Sequence, residues 1–181
     1  MIDLHVHSTC SDGTFSPEEL AAEAAVVGLS AIALTDHDAC EGVGRFREAC
    51  EQSGVEGIGG VELSVDAAGL HGSLHMLGYF VDPGHGALSE ALERVRTSRE
   101  ERNKRILERL AQEGVGLSDG FLSELSGGGV VGRLHIAEAL VAGGHAKSRD
   151  AAFEKWLGRG RSCYVERYRL APERCMRLIG E

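Results

Sequence analysis

Hydrophobic and polar positions change period several times along this chain. Ile2 to Val6 alternates in the manner of a strand. Ser16-Pro17-Glu18-Glu19 then opens a helix with three agreeing signals. Ser16 can cap, Pro17 suits the first helical position, and Glu19 completes a capping box. That helix runs to Val27 and stops at Gly28. Ala31 to Thr35 reads as a second, buried strand, and Val43 to Gln52 as a helix ending near Gly54. Val55 to Val65 and Leu74 to Val81 are further strands. Strands alternating with helices at this spacing predict a parallel sheet with crossover helices.

Beyond Pro83 the period becomes helical. Ala87 to Glu113 is one long helical pattern rich in Glu and Arg. Shorter helices are expected at Ser118–Leu125, Leu134–Val141 and Arg149–Leu157, with Gly127-Gly128-Gly129 as a flexible joint. Pro172 to Glu181 begins like a helix and has no C-cap. The expected organisation is a barrel segment over 1–86, a long helix and helical insertion over 87–165, and a return to the barrel over 166–181.

Composition narrows the classes. Of 181 residues, 43% are apolar and 26% charged, an ordinary globular balance with enough chain to bury a core. Aromatics are scarce at 5%, which argues against a broad stacking platform. The 25 glycines and 3 prolines suggest tight connections rather than linkers. With 19 bases against 28 acids, the net charge of -9 makes the chain a poor generic binder of nucleic acid or anionic membrane. The five cysteines, Cys10, Cys40, Cys50, Cys163 and Cys175, show no CxxC spacing and read as reduced thiols. MIDLHVH has no basic leader and no window approaches a membrane span, so a cytoplasmic protein is expected.

Candidate chemistry gathers at strand ends. His5 and His7 lie two apart on the first strand, so period-two geometry puts both imidazoles on one face, where they can share a metal. Asp3 has the same parity and could fix an imidazole tautomer. Alone, the pair could be chance. However, Ser11-Asp12-Gly13 follows the first strand, Thr35-Asp36-His37-Asp38 follows the second, Gly60-Val61-Glu62 lies on the third and His75 on the fourth. In a parallel barrel such strand ends share one face. Mixed imidazole and carboxylate ligation without thiolate suits Zn, Mn or Fe. On the long helix, Leu88, Leu92, Val95, Ile106 and Leu110 form a stripe with Arg99 in its middle and Arg102 at its edge. A buried guanidinium needs a partner: a phosphate, an internal carboxylate, or solvent reached by snorkelling. Arg96, Lys104 and Arg105 fall off the stripe.

The motifs HxHxxxSDG (His5 to Gly13), TDHD (Thr35 to Asp38), Val61-Glu62 and HxLGY (His75 to Tyr79) resemble the PHP family, the polymerase and histidinol phosphatase domain. Their order is most similar to the stand-alone branch containing nucleoside 3′,5′-bisphosphate phosphatases and 5′-to-3′ exoribonucleases. The resemblance implies an α/β fold, a distorted TIM-like β/α barrel with a helical insertion. It implies two or three divalent ions held by His5, His7, Asp12, His37, Glu62 and His75, with Glu62 bridging. It implies a phosphoric ester hydrolase acting on a phosphorylated small molecule, a nucleotide bisphosphate or a short RNA 5′ end. Ser98 to Asn103 resembles the segment that contacts substrate phosphate in this branch, which nominates Arg99, Arg102 and Asn103. Gly132-Arg133-Leu134-His135 resembles a GRPH motif and nominates His135, with Leu134 standing where proline is usual.

Two of the family's later motifs, an AHP type and an SDxH type, do not occur, and after residue 135 only His145 remains among the histidines. The barrel is therefore expected to be incomplete at the C-terminus, with an open apolar edge that favours self-association. His71, His85 and His145 have no motif support and read as surface or loop residues. Cys10 and Cys40 lie inside the metal motifs and could make the site sensitive to oxidation. The rival readings are a histidinol-phosphate phosphatase, an amidohydrolase, which also uses HxH on a first barrel strand, and a catalytically incomplete metal-binding module.

Overall fold

A computed structural model of the chain describes residues 1–66, 74–117, 120–122 and 131–180. These divide into two compact units, the first formed by Met1–Val95 with Arg169–Glu181 and the second by Arg96–Tyr168.

The first unit is built on a four-stranded sheet in the order β1 (Ile2–Val6), β2 (Ala31–Leu34), β3 (Glu56–Val65), β4 (Leu74–Tyr79). The helix α1 (Pro17–Val26) crosses from β1 to β2, and α2 (Val43–Ser53) from β2 to β3. The three strands they join run parallel, as the strand–helix alternation requires. At the start of α1, Ser16 Oγ accepts the Glu19 amide while Glu19 Oε2 accepts the Ser16 amide, so the capping box closes. α2 ends at Gly54 with φ +71°, a left-handed stop that glycine adopts without steric cost. Leu20, Ala21 and Ala24 of α1 pack with Phe46 and Cys50 of α2 over Ile32 and Leu34.

β4 departs from the expected parallel arrangement. It pairs antiparallel to β3, with Ser64 opposite His75 and Val65 opposite Leu74. Eight residues separate the two strands, fewer than the dozen or so that a parallel crossover takes, so the chain doubles back. β1 carries a second departure. Its register shifts between Asp3 and Val6, where three steps on β1 match two on β2, the mark of a bulge. The last helix, α6 (Pro172–Gly180), returns to this unit, and its Ile179 packs on Gly78 of β4.

The chain leaves the first unit within α3 (Gly86–Gln112). The second unit then adds α4 (Arg133–Ala142) and α5 (Arg149–Ala152), which runs on into a wider π-helical turn at Phe153–Leu157. Its core joins Ile106 and Leu110 to Ile136, Leu140, Trp156 and Leu157. Of the helix expected at Ser118–Leu125, residues 120–122 are helical; the rest, the glycine triplet and His71 lie outside the described residues. No helix among the described residues is long and apolar enough to cross a membrane.

Candidate metal centre

Backbone pairing places the central carboxylate. β2 stops at Leu34, but His37 still bridges to Glu62 on β3, because the Glu62 amide donates to the Asp36 carbonyl and the Asp38 amide to the Glu62 carbonyl. Glu62 is thereby locked to the loop that carries His37, and its side chain is only 6% exposed. Four imidazoles converge on it. His5 Nε2 and His7 Nε2 each lie 3.0 Å from Oε2, His37 Nδ1 lies 3.4 Å from the same oxygen, and His75 Nδ1 lies 2.6 Å from Oε1. The rings form a row, with centroids 5.1 Å apart from His5 to His7, 4.6 Å from His7 to His37 and 4.8 Å from His37 to His75.

Asp12 supplies the second carboxylate, from the turn after β1. Its oxygens lie 3.2 Å from His7 Nδ1 and 3.7 Å from His37 Nε2, and its side chain is 60% exposed. The turn is tight. The Ser8 carbonyl accepts the amides of both Ser11 and Gly13. A Cβ on Gly13 would sit 2.0 Å from the His7 carbonyl oxygen, so only glycine fits there.

Two further carboxylates, quoted in the TDHD motif but given no role by sequence reasoning, hold these loops. Asp36 is buried and accepts from the Ser8 amide at 2.7 Å, the Ser8 hydroxyl at 2.6 Å and the Ser11 hydroxyl at 2.6 Å. Asp38 sits at φ +52° and accepts from the amide and hydroxyl of Ser64 at 2.8 and 2.7 Å. The signal available in the sequence was a pair of acids flanking His37, with serines at positions 8, 11 and 64 to receive them. Asp3 takes a different role from the expected one: its carboxylate accepts the His5 backbone amide rather than an imidazole, because the β1 bulge breaks the parity count beyond it.

The electrostatics ask for positive charge. His7 and His37 each present both ring nitrogens to carboxylate oxygens. A neutral imidazole carries one N–H and cannot donate to both. For His37 burial lowers the pKa, outweighing the pull of Glu62 and Asp12 and aided by His7 and His75, so the ring is disposed to stay neutral. Its Nδ1 is buried with no hydrogen-bond partner. Burial pushes the Glu62 carboxyl up, but the His5 hydrogen bond and the charges of His37 and His75 prevail and hold it below its usual range. The donors fall into three overlapping groups, His5–His7–Glu62, His7–Asp12–His37 and His37–Glu62–His75, each within 4.8 Å. Nitrogen and oxygen donors about 2.0–2.2 Å from one ion lie roughly 3–3.5 Å from each other, close to most separations seen here. The residues present fit divalent cations.

The phosphate candidates lie in the second unit. Arg102 is the more buried arginine, at 5%, and Arg99 is half-buried, the reverse of their places on the helical stripe. Arg102 Nη2 donates to Asn103 Oδ1 at 3.1 Å, and Asn103 Nδ2 donates to the Val131 carbonyl at 2.7 Å. His135 Nδ1 accepts the Gly132 amide at 3.0 Å, which caps α4 without the expected proline. Arg96, Lys104 and Arg105 are exposed, as is His145, and His85 is half-buried. All five cysteines are free thiols. Burial pushes the Cys40 thiol up to about 12, so the expected oxidation sensitivity does not extend to it.

Comparison with known proteins gives the chain a family. A family model described as the PHP domain matches residues 3–159. A 5′-3′ exoribonuclease of Haemophilus influenzae is 35% identical over 164 residues, covering 91% of this chain and 59% of the relative. A 3′,5′-nucleoside bisphosphate phosphatase of Chromobacterium violaceum is 35% identical over 165 residues, covering 91% of this chain and 57% of the relative. Among solved structures, one described as an amidohydrolase from Chromobacterium violaceum, with bound sulfate and no metal, superposes with a TM-score of 0.83 at 30% identity. It is matched over 99% of this chain and 63% of its own. The chain thus spans somewhat under two thirds of the length of these relatives.

Proposed function

From the premise that this chain belongs to the PHP-domain family, we propose that it is a metal-dependent phosphoesterase acting on nucleotides. The observation that carries the reading is Glu62, one ionised carboxylate facing four imidazoles while His7 and His37 also face Asp12. His5, His7, Asp12, His37, Glu62 and His75 are the proposed ligands for two or three ions of Mn, Zn or Fe. When bound, such ions supply Lewis acidity toward phosphoryl oxygens and lower the pKa of water.

The chain's own residues prepare that chemistry. Burial disposes His37 to stay neutral, with a lone pair to offer. Glu62 is kept ionised by its histidine neighbours and immobile by the His37 bridge. Asp36 fixes the turn that carries Asp12 by holding Ser8 and Ser11. The exposed sides of His5 and Asp12 leave an approach for a phosphate ester. In the second unit, Arg99, Arg102, Asn103 and His135 are the proposed phosphate-contacting groups, with Arg99 suited to bidentate donation. The substrate class drawn from the relatives is a nucleoside 3′,5′-bisphosphate or an RNA 5′ end.

The test is release of inorganic phosphate from adenosine 3′,5′-bisphosphate by the full chain with Mn²⁺, run beside histidinol phosphate and a simple amide. Phosphate release from the bisphosphate is expected. A folded, metal-binding chain that releases none would refute the proposal, and amide hydrolysis alone would move the chain to a different reaction class.

A further inference from the structure

The cations of the second unit are unevenly distributed. In a chain with 28 acids and 19 bases, Lys155 to Tyr168 carries Lys155, Arg159, Arg161 and Arg167 against a single acid, Glu166. The same stretch holds the chain's one tryptophan and two of its three tyrosines. Trp156 belongs to the buried core, so what this stretch offers the surface is its excess of bases, the electrostatic footprint of a polyanion site.

The structure gives that footprint a fixed shape. Arg159 and Arg161 are exposed on either side of Gly160, on a loop closed by successive turns. The Arg161 amide donates to the Gly158 carbonyl at 3.0 Å, the Tyr164 amide to the Arg161 carbonyl at 3.1 Å, and the Cys163 amide to the Trp156 carbonyl at 3.1 Å. Arg109 Nη1 clamps the far side through the carbonyls of Ser162 and Tyr164. Arg133 lies against the same loop. Its guanidinium sits 5.8 Å from the Phe153 ring centre and 5.5 Å from that of Tyr164, and its Nη1 donates to the Leu157 carbonyl at 3.2 Å. The charges of Arg133 and Arg159 both act on the Tyr164 hydroxyl, which donates to Glu166 at 2.8 Å. Among the described residues, none of Arg133, Lys155, Arg159 and Arg161 has a carboxylate at ion-pair distance. In a chain with so many acids, one guanidinium held between two rings and two exposed ones on a backbone-fixed loop, none with a carboxylate partner among the described residues, suit an anion from outside.

We propose that the loop Gly158–Tyr164, with Arg133 beside it, binds the phosphodiester backbone of single-stranded RNA. The choice of RNA rests on the phosphoesterase reading above; the binding itself needs no metal. Arg159 and Arg161 supply phosphate contacts, and the ring-stacked Arg133 supplies a planar cation with little freedom left to lose. What the loop recognises is a phosphodiester backbone, which a lone nucleotide does not have.

The experiment measures fluorescence anisotropy of a labelled single-stranded RNA of roughly a dozen nucleotides, with EDTA present to stop hydrolysis. The full chain is compared with its Arg159→Ala/Arg161→Ala variant. The variant is expected to bind about tenfold or more weakly at low salt, and its slope of log affinity against log salt should be shallower by about 1.4, two phosphate contacts' worth. Its circular dichroism and its phosphate release from the bisphosphate with Mn²⁺ should match the parent. Equal RNA affinity in parent and variant overturns the proposal. So does displacement of the RNA by polyglutamate as readily as by unlabelled RNA, which would mark an acidic protein partner. A parent that binds RNA through these arginines yet releases no phosphate from the bisphosphate keeps this surface and discards the catalytic reading.

Discussion

The two carboxylates of the candidate centre are held in opposite ways. Glu62 sits on a central strand, tied on both sides of its backbone to the His37 loop, almost wholly buried and facing four imidazoles. Asp12 sits on a surface turn, mostly exposed, reached by two of the same imidazoles. The strand fixes its ligand through hydrogen bonds the fold makes anyway. The turn needs dedicated parts: a glycine with no room for a side chain, and a buried aspartate to hold two serines. A strand-borne donor is therefore a property of the sheet, while a loop-borne donor has to be built locally.

Substitution of the two acids tests this difference most sharply. Glu62→Gln removes the charge shared by four imidazoles. It should weaken Mn²⁺ binding by more than the roughly 10–100-fold typical of losing an outer hydrogen-bond partner. Asp12→Asn should cost less, about tenfold, because solvent already surrounds that side chain. Calorimetric titration of both variants decides the matter, and equal losses would erase the distinction between strand and turn.

Gly13→Ala attacks the turn alone. The new methyl would collide with the His7 carbonyl and should destabilise the fold by about 3 kcal/mol, an overpacking cost. Thermal melting reads the effect. An unchanged melting temperature would mean the turn gives way easily and does not position Asp12.

The smallest effect is the acid response of the metal-free chain. The folded pKa of His37 is lowered, so below the ordinary imidazole range the unfolded chain binds the proton more readily than the fold, and stability falls as pH drops. Glu62 is also lowered, so its contribution is present above the usual carboxylate range and is lost at still lower pH as the folded group titrates. Both slopes have the same sign. Melting temperatures in EDTA should therefore fall in two steps, the imidazole step first. A melting temperature that rises on acidification through pH 6 would contradict the His37 assignment.

Much of the centre was legible because its motifs are local. The alternation at His5 and His7, the acid and glycine of the following turn, His37 just past β2 and Glu62 within β3 each depend on a few neighbouring residues. His75 reached the same face for a reason the chain order hid. β4 runs antiparallel, so it is the start of the strand, not its end, that lies beside the C-terminal end of β3. Asp36 and Asp38 carried no visible role, since their partners are 25 to 28 positions away. On the long helix, periodicity marked the buried stripe but not which arginine it covers most, because that depends on what packs against it. His135 caps its own helix, and the motif alone did not reveal this use of the ring.

By itself the sequence determined the strand–helix order, the capping of α1 and the kinds of donor available. These follow from periodicity and from bonds between near neighbours. Only the tertiary structure decided that β1 is bulged, that β4 turns back, and that one buried carboxylate lies within 3.4 Å of four imidazoles. Such distances depend on strand pairing between segments far apart in the chain, and no local pattern of side chains encodes the register in which they meet.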